Sequence, residues 1–172
     1  MKELHYRKCT VSDLDTLTEI AKTTFLKTFG GKIAVEDFQK YVERAFSREV
    51  FLAQLMNENS YFYFGYAEGT LAGYFKLNTG EAQKDLRDGD GAELERIYLL
   101  EPFQGKGLGK VMLNKAIALA RDFKATYLWL GVWENNRAAI GFYERHGFRK
   151  FGEHASIMHP EIAPDWLMRK EL

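Results

Sequence analysis

Near the middle of the chain, an apolar strand-like run, Leu94-Glu95-Arg96-Ile97-Tyr98-Leu99-Leu100, leads into Gln104-Gly105-Lys106-Gly107-Leu108-Gly109-Lys110. That stretch opens an amphipathic helix-like run from Leu108 to Phe123. A strand, a glycine-rich turn and a helix start make a ready anion cradle. Glycines let the backbone approach an anion closely, and the N–H groups of the first helical turn have no acceptor within the helix. The stretch therefore predicts a phosphorylated ligand.

The surrounding pattern predicts the scaffold. Leu4 to Thr10 alternates weakly and suits a first strand. Ser12 or Asp13 can cap a helix with Leu14, Leu17, Ile20, Ala21, Phe25 and Leu26 on one face, ended by Phe29-Gly30-Gly31. Two helical pieces follow, from Val35 to Phe46 and from Ser47 to Asn57. Tyr61 to Ala67, Glu68-Gly69, and Thr70 to Leu77 read as a hairpin. Asn78 to Gly91 is polar and long for a loop in a compact domain, which marks it as a functional candidate.

After the glycine turn and its helix, Thr126 to Val132 is a continuous apolar run, expected to be covered on both faces. Asn135 or Asn136 caps a helix to about His146, closed by Gly147. Phe148 to His154 and Trp166 to Lys170 read as two last strands, with Pro160 and Pro164 between them. The order β-ααα-ββ-βαβα-ββ predicts an α/β (α+β) chain: a mixed sheet with helices on both faces.

The 172 residues, 46% hydrophobic and 28% charged, fit one domain covering 1–172. A formal net charge of zero gives no bulk attraction to nucleic acid or to a membrane. Cys9 is the only cysteine, so no internal disulfide and no cysteine zinc set can form. His5, His146, His154 and His159 lack metal-ligand spacing, and no metal is expected. His146, near a helix end, reads as a cap or a solvated side chain. The start of the chain lacks a signal-peptide core and no spanning apolar run occurs, so the expected location is cytoplasmic.

Three phosphate patterns compete for the glycine turn. A Walker A loop needs Ser or Thr after Gly-Lys, and Val111 stands there. A dinucleotide fingerprint needs a third glycine where Lys110 stands, and no acidic ribose partner stands out further on. The third pattern, Gln/Arg-x-x-Gly-x-Gly/Ala, is met by Gln104, Gly107 and Gly109.

Preceded by Glu95-Arg96-Ile97-Tyr98-Leu99, that third pattern resembles the acetyl-CoA signature of the GNAT superfamily of N-acetyltransferases. Downstream, Asn136-Arg137-Ala138-Ala139-Ile140-Gly141-Phe142-Tyr143-Glu144-Arg145-His146-Gly147-Phe148 resembles the family's companion motif. The resemblance implies a mostly antiparallel central sheet splayed at the cofactor site, with acetyl-CoA as cosubstrate. It implies that the backbone of Gly105, Lys106, Gly107, Leu108, Gly109 and Lys110, beside Gln104, holds the pyrophosphate. It further implies that Ile97, Tyr98 and Leu99 pair with the pantetheine arm as an added strand would, with Asn136 meeting the arm beyond the splay. The other reading of the glycines is a tight turn with close helix packing, and of Lys106 and Lys110 a pair of solvated lysines.

Acetyl transfer to an amine requires deprotonation of the amine, a donor to the developing oxyanion and a proton for the departing thiolate. Tyr143 matches the family's tyrosine facing the CoA sulfur, and a phenol is still protonated at pH 7. A strand N–H near Ile97 or Tyr98 is the expected oxyanion donor. Glu95 is the expected base, directly or through water, and Glu93, on the same face by strand alternation, is the alternate. The competing readings are a buried structural tyrosine, and two glutamates that only line an acidic groove.

Between Glu81 and Glu101, Glu81, Asp85, Asp88, Asp90, Glu93, Glu95 and Glu101 outnumber Lys84, Arg87 and Arg96. An acidic cleft favours a cationic amine, and a solvated loop is the alternative. Glu95 to Tyr98, Trp129-Leu130-Gly131-Val132-Trp133-Glu134 and the chain length resemble the PaiA-type bacterial spermidine/spermine N-acetyltransferases, which implies a small polyamine acceptor. The rivals are a protein N-terminus or an amino-sugar as acceptor, and a catalytically silent CoA-binding regulatory module. A homodimer formed through the last strand near Trp166 is a further possibility for this family.

Overall fold

The computed structural model describes residues 3–32, 35–156, 158 and 163–172, so His159 and Pro160 lie outside the described residues. Its elements run β1 (His5–Lys8), α1 (Leu14–Phe29), α2 (Val35–Ala45), α3 (Arg48–Met56), β2 (Ser60–Ala67), β3 (Thr70–Asn78), β4 (Gly91–Leu99), α4 (Leu108–Asp122), β5 (Tyr127–Trp133), α5 (Arg137–Arg145), β6 (Arg149–His154) and β7 (Asp165–Glu171). The element order matches the expected one.

Local chemistry sets the boundaries. Glu68 and Gly69, at φ 48° and 79°, form the two-residue left-handed turn that joins β2 to β3. The Ser47 hydroxyl accepts from the Val50 N–H to start α3, and Asn136 Oδ1 accepts from the Ala139 N–H to start α5. His146 closes α5 with its Nδ1 2.7 Å from the Phe142 carbonyl. At α1 the cap differs from the expectation. Asp13 is the N-cap residue, but its carboxylate turns back to accept from the Thr10 N–H and is held by both terminal nitrogens of Arg7. Leu26 also departs from its expected face: Thr24 is buried, and Leu26 is exposed.

The strands form one sheet in the order β1-β2-β3-β4-β5-β7-β6. All neighbours are antiparallel except β4 and β5, which the crossover through α4 makes parallel. Helices cover both faces. One core lies under α4 and α5, built on Met112, Leu113, Ala116, Leu128 and Phe148. The other lies under α1 to α3, built on Leu17, Phe25, Phe51, Phe62 and Phe64. Burying each such large side chain stabilises the fold by about 1.5–3 kcal/mol. Because β7 lies between β5 and β6, both of its edges are paired within the chain.

Two irregularities shape the middle of the sheet. Opposite β3, Arg96 pairs with Lys76 but Leu94 pairs with Leu77, so Glu95 is an extra residue, a β-bulge. The bulge shifts the alternation of β4. Ala92 and Leu94 before it, and Ile97 and Leu99 after it, all pack toward α4, whereas Tyr98 and Leu100 pack toward α1 to α3. On the other side of β4, pairing with β5 stops after Gly91–Tyr127, Ala92–Leu128 and Glu93–Trp129. Beyond Glu93 the two strands diverge.

Close approach of β3 to β4 requires glycine at 73, where a Cβ would stand 2.2 Å from the Tyr98 carbonyl oxygen. At Gly131 a Cβ would meet nothing within 4 Å. Gly73→Ala is therefore expected to lower unfolding free energy by about 2–3 kcal/mol, and Gly131→Ala by less than about 0.5 kcal/mol, in urea titrations of the two variants.

Candidate active site

Where β4 and β5 part, they leave a crevice of 230 Å³. Glu95, Ile97 and Tyr98 line it from β4, Gly131 and Trp133 from β5, and Asn136 and Tyr143 from the N-cap and the last turn of α5. Five of the residues singled out in the sequence thus meet in one place: Glu95, Ile97, Tyr98, Asn136 and Tyr143. The expected full cover of β5 fails at Gly131, which opens onto the crevice.

From there the remaining predicted residues follow the end of β4 outward. Leu99 and Gln104 border a hollow against α1. The Gln104 amide donates to the Leu99 carbonyl at 2.9 Å, tying the turn to its strand. Gly105 and Gly107 have φ of 69° and 80°, and Gly107 is the N-cap of α4 with no side chain capping it. The first N–H groups of α4 are therefore left for an anion from outside the chain. A Cβ at Gly109 would stand 3.7 Å from the Phe142 ring, an ordinary contact, so α4 and α5 lie side by side here without requiring glycine. Leu108 turns its side chain into the core, and Lys106 and Lys110 are exposed.

Beneath the crevice lies a buried polar cluster. The bulge residue Glu95 is ion-paired with Lys76, with Lys84 Nζ at 3.0 Å, and lies 3.9 Å from Arg96 Nε. The Asn78 amide donates to Glu95 at 2.7 Å and to Glu93 at 3.0 Å, and itself accepts from the Ser60 hydroxyl. Glu93 also accepts from the Lys84 N–H. Aromatic faces support the cations: Phe46 and Phe51 lie against Arg96, and Phe62 against Lys76.

This cluster separates the two glutamates. Burial alone would raise the Glu95 carboxyl, but Lys76, Lys84 and Arg96 overcome it and hold that carboxyl far below the usual carboxylate range. Such a carboxylate is a weak proton acceptor at neutral pH. Burial, then the nearby Glu95 charge, pushes the Glu93 carboxyl up, but Glu93 is 3% exposed and does not line the crevice. Burial raises the Tyr143 phenol, so it stays protonated and available as a donor.

Most of the acidic bias of 81–101 is also spoken for. Glu81 faces Arg87, Asp85 faces His154, Asp88 accepts from the Tyr127 hydroxyl, and Glu101 pairs with Lys27. The crevice is therefore not an acidic sink, contrary to one sequence expectation: Lys84 and Arg96 face it beside Glu95 and Asp165. What the sequence reading missed is an aromatic wall. Phe25 and Phe29 of α1, Tyr41 of α2, and Tyr98 and Trp133 line the same space. The spacing of Phe25 and Phe29 carries only the signal of a buried helix face. No group of His, Cys, Asp or Glu suited to a metal occurs among the described residues, and no described helix is long and apolar enough to cross a membrane.

Comparisons with known proteins agree with this architecture. The model of the acetyltransferase (GNAT) family matches residues 25–148. An uncharacterised N-acetyltransferase of Lactobacillus delbrueckii subsp. lactis is 37% identical over 160 residues, covering 93% of this chain and 92% of that protein. A spermidine N(1)-acetyltransferase of Thermoplasma acidophilum is 27% identical over 150 residues, covering 85% and 88%. The crystal structure of a PaiA N-acetyltransferase from Thermoplasma acidophilum in complex with coenzyme A superposes with a TM-score of 0.80 at 25% identity, covering 99% of each chain.

The Glu95 ion pairs set a pH dependence. A carboxyl lowered on folding stabilises the protein above its unfolded pKa of about 4.3, and that stability is lost as pH falls below it. Glu95→Gln is expected to cost about 3 kcal/mol at pH 7, because it leaves Lys76 buried without its counter-charge, and to flatten the loss of stability between about pH 5 and 3. The Glu95→Leu, Lys76→Met double variant is expected to recover only the part due to Lys76, because Lys84 and Arg96 still lose the Glu95 carboxylate. Urea unfolding across pH measures both.

Proposed function

The chain belongs to the acetyltransferase (GNAT) family, and from that premise we propose that it acetylates a small polyamine of the spermidine class by direct attack on acetyl-CoA in a ternary complex. The coarser activity, acetyl-CoA-dependent N-acetylation, goes with the family. The observation that carries the finer reading is the aromatic wall of Phe25, Phe29, Tyr41, Tyr98 and Trp133 around the crevice. Aromatic faces hold alkylammonium groups without a net negative site, and their apolar bodies suit methylene chains. The Thermoplasma spermidine N(1)-acetyltransferase, similar over most of both chains, supports the same substrate class.

The residues fit the cosubstrate. Uncapped N–H groups at the start of α4, behind two left-handed glycines, suit a pyrophosphate. Past Glu93, β4 has no ladder partner on its β5 side, so its backbone can pair with an extended arm. When bound there, acetyl-CoA offers an activated acetyl thioester. The backbone near Ile97 and Tyr98 then donates to the acetyl oxygen as it gains charge. Tyr143 gives its phenolic proton to the departing thiolate. Asn136, with its Oδ1 engaged in the α5 cap, fixes the far wall.

In this reading Glu95 is not the proton acceptor. It remains anionic and holds Lys84 and Arg96 at the crevice. Their positive charge favours the neutral form of an incoming amine, whose proton leaves through water in the open crevice.

Two measurements test the proposal. Thiol release from acetyl-CoA is expected to be at least about tenfold faster, by kcat/KM, with spermidine than with a peptide N-terminus or an aminoglycoside. Equal rates would remove the polyamine reading, and CoA binding without release to any amine would favour a silent regulatory module. Tyr143→Phe is expected to lower kcat by about 10²-fold while leaving CoA affinity within about twofold. An unchanged kcat would remove its acid role.

A further inference from the structure

One histidine outside the reaction centre joins two segments that frame the acceptor end. The His154 ring lies with Nδ1 3.0 Å from Asp85 Oδ2 and Nε2 3.4 Å from Asp165 Oδ2. His154 and Asp165 are opposite each other in the β6–β7 ladder, at the base of the connection between those strands. That connection contributes Ser156 and Met158 to the crevice wall, and Asp165 lines it as well. Asp85 belongs to the 79–90 loop, directly after Lys84, whose ammonium faces the crevice beside Glu95.

Among the described residues, the 79–90 loop is also anchored toward β5, β4 and the residue before β2, where the Thr79 N–H donates to the Asn59 carbonyl. The Trp129 indole donates to Gln83, the Tyr127 hydroxyl to Asp88, and the Lys84 N–H to Glu93. These bonds fix the loop from beneath. None of them sets its distance from the β6–β7 connection across the mouth. The His154 imidazole bridges that gap, and it separates two carboxylates that would otherwise repel each other.

We propose that His154 is a positioning residue for the acceptor side: between Asp85 and Asp165 it fastens the 79–90 loop to the base of the β6–β7 connection, and so sets the opening through which the amine enters. The proposal rests on the acetyltransferase reading for its kinetic consequence, but not for the latch itself. Asp85 does not line the crevice, so altering it changes the latch without changing the charge that meets substrate. The donor side, along the end of β4 and the start of α4, lies outside the latch.

The test uses Asp85→Asn, Asp85→Glu, His154→Asn and the Asp85→Asn, His154→Asn double variant. Asp85→Asn is expected to raise KM for spermidine roughly three- to fivefold, as expected for weakening one part-exposed side-chain contact, with kcat and the KM for acetyl-CoA unchanged. Asp85→Glu restores KM. The double variant is no worse than His154→Asn alone, because both substitutions cut one link. Hydrogen exchange of the 79–90 amides is expected to quicken in Asp85→Asn and not in Asp85→Glu. An unchanged spermidine KM, a parallel rise in both KM values, or additive effects in the double variant would overturn the positioning role. Unchanged exchange would overturn the latch. If the wild-type protein turned over no amine, the functional reading would fail, and the exchange arm would still decide whether the latch exists.

Discussion

Between Leu94 and Arg96 the fourth strand carries one residue more than its neighbour, and the extra residue is a buried glutamate. An ionised side chain can stay buried only with counter-charges close by, and Lys76, Lys84 and Arg96 meet that demand. The consequences run in several directions. The bulge moves Ile97 and Leu99 onto the α4 face, and aims Tyr98 at the α1–α3 face. It recruits Lys84 from the 79–90 loop to the crevice. It stands just past the last paired residues of β4 and β5, where the strands part. One ion-paired irregularity thus joins the break in the sheet, the cations at the site and the loop that borders it.

The scaffold was largely legible in the sequence. The order of helices and strands, the Glu68-Gly69 turn, the Asn136 cap and the glycine turn into α4 all follow from local rules that operate within a few residues. Local reasoning failed where distant contacts decide. Leu26 sits at a plausible helical spacing, yet Thr24 takes the buried position, its hydroxyl satisfied by the Ile20 carbonyl. That β6, and not the last strand β7, forms the edge of the sheet is a matter of strand order that periodicity does not encode.

The site was legible in its donor half and obscure in its acceptor half, for physical reasons. Anion binding by backbone N–H groups leaves a glycine signature in sequence, so Gln104 to Lys110 could be found. Strand alternation put Glu95 and its alternate Glu93 on one face, and both do meet the Asn78 amide there. What separates them is their surroundings, since Lys76, Lys84 and Arg96 hold the crevice-lining Glu95 ionised while burial pushes Glu93 toward its neutral form. The acidity of the 81–101 segment suggested a cleft charged against cations, but charge counted along a chain ignores partners across the fold. Phe25, Phe29 and Tyr41 carry no chemical signature, since aromatic residues on helices are first of all core, and only the tertiary arrangement turns them toward the crevice.

The central claim is that the parting of β4 from β5 is the place where the acetyl donor lies, with its reacting end beside Tyr143. The most direct measurement is a crystal structure of the protein with CoA. The account predicts the pyrophosphate against the N–H groups of residues 105–110, the arm paired with the backbone of Ile97 to Leu99, and the sulfur within hydrogen-bond reach of the Tyr143 hydroxyl. CoA bound outside the β4–β5 gap, or a sulfur turned away from Tyr143, would contradict it.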